Sequence, residues 1–448
     1  MKFPNPRGFG LVGCLLVLSL VFNFLSEKTA LGQDWPQAQG PNRDNKSSET
    51  GLLQEWPEGG PPQAWISKAV GLGYSGPAIV GDQIFIMGAR DGKTELIALS
   101  ASDGSEQWSL AINEKAFTFD GNAWGAGPRA TPSVSDGHVY ALAGDGQLLC
   151  ATTSGEEKWR VHMQKDLGGA VDPIGGGPKL IGWGYCWSPL VDGDKVICVP
   201  GGEQGMFAAL DKKTGKVLWR SKELTKLATY ASPLKASIHG VDQYITMTPD
   251  GSSAVSAEDG SLLWSHERSR PYGDVAIPTP VVSENLVYTN VGYDAGCELI
   301  EASMADGKWS TESLYSSRKS RNMKNKLGGF VLIDGCIYGT ADRRGWVCQD
   351  LATGDLNWYK RGSGGLGDGS IIYADGKLYL FSERENADGL LDVGLLDVST
   401  EEWNLISSFG IAPSQQRAPS GRAWTHPVIA GGHLYLRDQE LLYSFKLK

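Results

Sequence analysis

The chain has 448 residues, 41% of them hydrophobic and 21% charged, which excludes a disordered or purely solvating polypeptide. A formal net charge of −10 supplies no overall field to hold nucleic acid, and that class of partner is set aside. The 59 glycines lie scattered among short apolar runs, the mark of many tight turns between strands.

Residues 1–32 read as an address. Lys2 and Arg7 give a positive start, residues 11–25 an apolar stretch, and Ala30-Leu31-Gly32 the small residues that a signal peptidase reads. Cleavage after Gly32 and export to the periplasm or cell envelope are expected, with no transmembrane span in the mature chain. Two readings compete. Retention as a membrane anchor needs a longer apolar run. In a lipoprotein, Leu11-Val12-Gly13-Cys14 would make Cys14 the lipidated residue, but most of the apolar run follows Cys14. Residues 33–55 are expected to be an N-terminal extension packing on the domain formed by residues 56–448.

Export implies an oxidising compartment, which bears on Cys150, Cys186, Cys198, Cys297, Cys336 and Cys348. None has metal-ligand spacing to another Cys or a His, so no zinc site is expected. Cys186/Cys198 and Cys336/Cys348 each fall on neighbouring strands of one hairpin, where a disulfide and a pair of buried thiols are both open readings.

Internal repetition is the strongest signal. Ala209-Leu210-Asp211-Lys212-Lys213-Thr214-Gly215-Lys216-Val217-Leu218-Trp219 reads as a strand, a turn and a second strand ending on Trp. The same Gly-to-Trp offset recurs at Gly104/Trp108, Gly155/Trp159, Gly260/Trp264 and Gly354/Trp358. Gly307/Trp309 and Glu401/Trp403 are degenerate copies shifted by two residues, which keeps the side chain on the same sheet face. With Trp65, eight tryptophans stand in series at intervals of 43 to 60 residues, the spacing of propeller blades. Each is expected on the outermost strand of its blade, wedged against the next.

A second signature precedes each Trp element: a small residue, Pro, an apolar pair, a turn with Gly or Asp, then an alternating strand. It occurs at Gly76-Pro77, Thr131-Pro132, Ser188-Pro189, Ser232-Pro233, Thr279-Pro280 and His426-Pro427, while the repeats entering at Gly328-Gly329-Phe330 and Asp368-Gly369-Ser370 lack the proline. Proline belongs at the start of an innermost strand, where a missing N–H is tolerable. After Trp424 only three strand-like runs remain, and Trp65 sits on an orphan strand near the N-terminus. Together they make an eighth blade. The predicted fold is all-β, an eight-bladed propeller of four-stranded antiparallel blades closed by an N-terminal strand.

Residues 209–219 resemble the pyrroloquinoline-quinone-type (PQQ-like) propeller repeat, A-x-D-x-x-T-G-x-x-x-W, and the resemblance covers the chain from about Trp56 onward. It implies one of two kinds of function. Quinoprotein dehydrogenases hold PQQ and calcium at the mouth of the ring and oxidise alcohols or sugars. BamB-like members use the same eight blades without a cofactor to scaffold a protein partner. A third, exported bacterial group starts with Trp-Pro-x-x-x-Gly-Pro-x-Arg, seen here as Trp35-Pro36 and Gly40-Pro41-Asn42-Arg43. Ala38 and Gln39 stand where that group has Trp and Arg. The alcohol dehydrogenases of the resembled family carry adjacent cysteines, which this sequence lacks, and also a carboxylate base beside a calcium held by Glu, Asn and Asp. Sugar-oxidising members do without the cysteine pair. Asp120, Asp172, Asp274 and Asp368 lie in loops of the expected face, but nothing in the sequence picks them out as a set. No catalytic residue and no metal ligand is assigned. Other nucleophile, zinc and phosphate motifs are missing, and Gly175-Gly176-Gly177-Pro178 lacks the context of a phosphate cradle.

Long connections at 111–128, 162–186, 310–327 and 405–423 are expected on one face, which makes that face the candidate for binding. Candidate ligand residues at its channel mouth are Tyr74, Arg129, Trp187, Tyr230, Trp424 and His426, a set suited to a sugar, an aromatic ligand or a peptide. His426 either faces this mouth or bonds a neighbouring strand; His138 and His433 are expected to be exposed. Arg318, Lys319, Arg321, Lys324 and Lys326 form a basic loop that could dock an anionic partner. The expectation is a monomeric, non-catalytic binding or scaffold propeller of the envelope engaging a protein or a glycan. A PQQ-dependent sugar or alcohol dehydrogenase is the alternative.

Overall fold

In every repeat that has the proline, the innermost strand begins on the next residue. These strands are Ala78–Val80, Ser133–Ser135, Leu190–Asp192, Leu234–Ile238, Val281–Ser283 and Val428–Ala430. The structure, a computed structural model, describes Met1 and residues 34–118, 122–173, 182–268, 275–293, 295–318, 322–361 and 366–448. Residues 2–33, with the expected signal segment and Cys14, lie outside the described residues, as does the Gly175-Gly176-Gly177-Pro178 loop. All the strands fall within residues 46–446.

Eight four-stranded antiparallel sheets form a propeller, seven of them built in chain order from the axis outward. Blade 1 ends on Glu106–Asn113, blade 2 on Glu157–His162, blade 3 on Val217–Arg220 and blade 4 on Leu262–Glu267. Blade 5 ends on Lys308–Ser317, blade 6 on Leu356–Lys360 and blade 7 on Leu405–Ile411. In blade 8 the outermost strand is the N-terminal Gln63–Ser67, which pairs with Leu441–Lys446 and sets Trp65 opposite Ser444. Several innermost hairpins turn on Asp136-Gly137, His239-Gly240, Asp334-Gly335 or Asp375-Gly376, with both residues at positive φ, as two-residue turns between twisted strands require. No helix among the described residues is long and apolar enough to cross a membrane.

Tryptophan docking holds the girdle. Trp65, Trp108, Trp159 and Trp219 lie over Gly104, Gly155, Gly215 and Gly260 of the following blade, where a Cβ would stand within 3 Å of the indole. Trp65, Trp108 and Trp159 also donate Nε1–H to the carbonyls of Ala101, Thr153 and Lys212 at 3.0–3.1 Å. A bulge recurs where the outermost strand pairs, beside Ala98, Ala209 and Ala254, and such bulges re-aim the following side chain.

Three tryptophans depart from the expected pattern. Trp264 is on its strand but bonds Gln243 Oε1 of its own blade. Trp309 packs near His239, and Tyr315 takes over the docking role, lying over Gly354 of blade 6 and donating to the Leu351 carbonyl at 2.8 Å. The reason is length: the outermost hairpin of blade 5 has ten residues per strand, which carries a later aromatic to the docking position. Trp358 donates to the Ser399 carbonyl, whereas Trp403 precedes its strand and packs edge-on to Trp358.

Two of the long connections are correspondingly shorter than expected, because residues 310–317 and 405–411 are strand. The six cysteines among the described residues are all free; Asn357 donates to both Cys336 and Cys348. His138 and His433 are half-buried, the latter bonded to Ser444 Oγ at 2.8 Å.

The small residue before three of the prolines has a use that its size alone hides. Thr131 Oγ1 accepts from Gly76 N, Ser188 Oγ from Thr131 N, and Ser232 Oγ from Ser188 N, so hydroxyls stitch blades 1 to 4 around the axis. At the seam between the last and first blades, the buried Arg437 donates to the carbonyls of Val70, Gly71, Ser75, Met87 and Gln439.

Candidate functional site

Residues 34–47 occupy the axis. Trp35 bridges Ile79 of blade 1 through both backbone bonds, and the Pro36 carbonyl accepts from Val134 N of blade 2. Arg43 then reaches across to the carbonyls of Ser188, Pro189 and Pro233, while Asn45 donates to Gly328 and Phe330. Lys46–Ser47 leaves as a parallel strand on Gly369–Ala374 of blade 7. The turn within this segment requires Gly40: its φ is +85°, and a Cβ there would lie 2.7 Å from the Trp35 ring.

Above this segment lies a cavity of about 180 Å³, floored by Trp35, Ala38 and Gln39. Ala38 and Gln39 are the two positions that depart from the resembled segment. Because the inner-strand entrances converge here, the wall collects Tyr74 from blade 1, Arg129 from blade 2, Trp183 from blade 3 and Tyr230 from blade 4, with Trp424 and His426 from blade 8. The Trp183 ring sits 5.5 Å from Tyr230 and 5.5 Å from Trp124, and Tyr74 lies 5.3 Å from Trp424. Hydrogen bonds fix these rings. Tyr74 donates to the Trp124 carbonyl, Tyr230 to the Asp172 carbonyl, and Trp424 to Glu383.

The charges of the cavity are unevenly matched. Lys326 Nζ lies 2.9 Å from Asp342 and 3.1 Å from Glu383. Burial works against its ammonium, but Glu383 and Asp342 outweigh that and hold its pKa above the ordinary lysine value. His426 sits against the Leu327 carbonyl at 2.6 Å, and burial lowers its pKa, which favours the neutral ring. Burial pushes the Cys186 thiol up to about 12 and raises Tyr74 and Tyr230. Arg129 lies 5.3 Å over the Tyr74 ring and donates one bond, from Nη1 to the Gly127 carbonyl at 3.3 Å. Its buried Nη2, the Trp183 Nε1 and the Gln39 Oε1 meet no protein partner among the described residues. At neutral pH this is a surface of aromatic faces, hydroxyls and one guanidinium unmatched by a carboxylate.

Tyr74, Arg129, Tyr230, Trp424 and His426 therefore share one cavity, and His426 combines both roles open to it. Trp187 does not join them: it is fully buried beside Tyr185 in the core of the first four blades. The basic loop is not a row of solvated charges. Arg318 is exposed, but Lys324 is 2% exposed because its backbone bridges Ala341 and carries the side chain inward. Lys326 faces the cavity; Lys319 and Arg321 lie outside the described residues. Of the loop acids, Asp172 is buried, while Asp120 and Asp274 lie outside the described residues. Asp368 accepts from Arg343 N, and burial, with Glu383 and Asp342 nearby, pushes its carboxyl up to about 6. Sequence reasoning missed the floor, which depends on a segment folding back from outside the repeats, and the inter-blade hydroxyls, whose signal was the Ser or Thr before Pro.

A sequence profile described as outer membrane protein assembly factor BamB, PQQ_2, matches residues 92–360. No curated protein sequence matches the chain. Among solved structures, BamB from Moraxella catarrhalis is 15% identical with a TM-score of 0.56, over 84% of this chain and 94% of that one. A europium-containing methanol dehydrogenase is 12% identical with a TM-score of 0.60, over 90% and 89% of the two chains. The computationally designed Ika8 protein is 12% identical with a TM-score of 0.54, over 86% and 99%. At these identities the likeness is one of fold. An assembly factor, a dehydrogenase and a designed protein share it, so it selects no function.

Proposed function

The chain belongs to the PQQ_2 family of outer membrane protein assembly factor BamB, and from that premise we propose that it is an exported, non-catalytic binding propeller of the bacterial envelope. It engages a glycan or a protein through the face on which the blade entrances open. Residues 1–32 serve as the export signal, residues 33–55 as the extension and residues 56–448 as the propeller. The observation that carries the reading is the axial cavity, where convergent aromatic rings surround buried polar atoms with no hydrogen-bond partner among the described residues.

The same residues do not suit a quinone with calcium. Asp342 and Glu383, the buried carboxylates that contact the cavity-lining Lys326, are both engaged by it. No cluster of three or more His, Cys, Asp or Glu among the described residues is arranged to hold a metal ion. Trp35, Ala38 and Gln39 fill the floor. Purified protein supplied with PQQ and calcium is expected to reduce no dye over a panel of alcohols and sugars, and turnover would overturn the reading. A photo-crosslinking residue in place of Trp183 should capture a protein or glycan in intact envelopes, whereas one in place of Gly193, in an inner hairpin turn on the opposite face, should not.

A further inference from the structure

Taking the axial cavity as a binding site, as proposed above, we infer that its ligand is an acidic sugar: a pyranose ring bearing a carboxylate, as in a uronate-containing glycan.

Charge comes first. Of the two fixed cations that line the cavity, Lys326 is already neutralised by Asp342 and Glu383. Arg129 has no carboxylate partner among the described residues, and its Nη2 is buried without an acceptor. A guanidinium with free donors in one plane matches a planar two-oxygen anion, and a carboxylate has that form. The ring stacked on one side of it, Tyr74, fixes the plane of the guanidinium without consuming its donors.

The remaining polar atoms separate a sugar from a carboxylated aromatic ring. Gln39 Oε1 is an acceptor that needs a donor, and Trp183 Nε1 is a donor that needs an acceptor. A sugar hydroxyl supplies both. A simple aromatic carboxylate with no hydroxyl or N–H of its own offers acceptors alone at neutral pH and would leave Gln39 Oε1 buried and unmet, which is costly. The faces of Trp183, Tyr230, Tyr74 and Trp424 then cover the apolar C–H faces of the ring. The room available, about 180 Å³, suits one ring with the rest of the glycan leaving through the open mouth.

The test is calorimetric titration with trisaccharides of galacturonate, glucuronate and mannuronate, their methyl esters, and PQQ as the aromatic acid. At least one free acid is expected to bind, with its ester at least tenfold weaker. Arg129→Gln should lower affinity for that acid about 10- to 100-fold, the size of one charge-assisted bond pair, and bring the acid-to-ester ratio close to one. Its thermal unfolding should stay close to that of the parent protein, since among the described residues Arg129 makes one long hydrogen bond, to the Gly127 carbonyl, besides its contact with the Tyr74 ring. Trp183→Ala should weaken acid and ester alike. Equal affinity for acid and ester, or Arg129→Gln binding the acid as the parent does, would overturn the inference while leaving a glycan-binding cavity. PQQ binding in preference to every uronate would overturn it in favour of an aromatic acid. If no saccharide binds and crosslinking at Trp183 captures a protein, the inference falls and the binding reading stands; if neither occurs, both fall.

Discussion

Around the girdle, four successive tryptophans repeat one contact, an indole laid over a glycine of the next blade. Along the axis and the closing seam, contacts occur once each: Arg43 reaches blades 3 and 4, Asn45 reaches blade 6, and Arg437 gathers five carbonyls where the chain ends meet. The first kind of contact joins neighbours in chain order and is encoded locally. The second, apart from the Arg437 bond to Gln439, joins residues more than a hundred positions apart and has no periodicity. The difference teaches that closing a ring and filling its centre are separate tasks, solved by different residue types.

The largest expected effect tests the girdle. Trp159→Ala should destabilise by about 3–5 kcal/mol in denaturant unfolding, since a buried indole and its bond to the Lys212 carbonyl are lost together. A value under 1 kcal/mol would show that blade order does not depend on the repeat.

At the seam, Arg437→Met should cost about 3 kcal/mol, because buried carbonyls lose their donor while the side-chain volume is largely kept. Burial already lowers the Arg437 pKa to about 9, so the site resists its own charge, and a stabilised Met variant would mean that desolvation outweighs the five bonds.

At the head of the blade 7 inner strand, Asp368 titrates in the folded protein at about 6, above the ordinary carboxylate value. The folded state therefore holds more protons between roughly pH 4 and 6, and its stability should fall as pH rises through that window. Asp368→Asn should remove this slope and add up to about 3 kcal/mol at pH 7, read from unfolding midpoints across pH.

The smallest effect refines the girdle again. Tyr315→Phe keeps the ring over Gly354 but loses the bond to Leu351, for about 1 kcal/mol. Trp309→Ala, at the position where the repeat alone would put the docking residue, should leave the blade 5 to blade 6 contact intact.

Legibility followed the same division. The proline before each inner strand and the Gly-to-Trp offset are short-range requirements, so blade number and the pairing of Gln63–Ser67 with the C-terminal strands were readable from spacing. Apart from Trp264, which bonds Gln243 of its own blade, the exceptions share one cause. Trp309, Trp403 and the overlong connections were misplaced because strand length is set by cross-strand pairing, which the local pattern does not contain. At the site, Tyr74, Arg129, Tyr230, Trp424 and His426 could be placed because they flank the inner-strand entrances, which must converge. Trp187 occupies the same kind of position yet turns into the core, a choice made by packing against Tyr185. Lys324 and Lys326 read in the sequence as part of a basic loop for an anionic partner, whereas a backbone bridge to Ala341 and the buried carboxylates draw them inward.

The amino-acid sequence by itself thus determined the class, the count of blades and the way the ring closes, because turns, strand starts and inter-blade wedges are local chemistry repeated eight times with small variations. Only the tertiary structure decided that residues 34–47 enter the axis, that Gln39 and Trp35 become the floor of a cavity, and that Arg129 lines it without a carboxylate partner among the described residues. Those outcomes depend on which distant groups meet, and electrostatic matching of that kind has no signature along the chain.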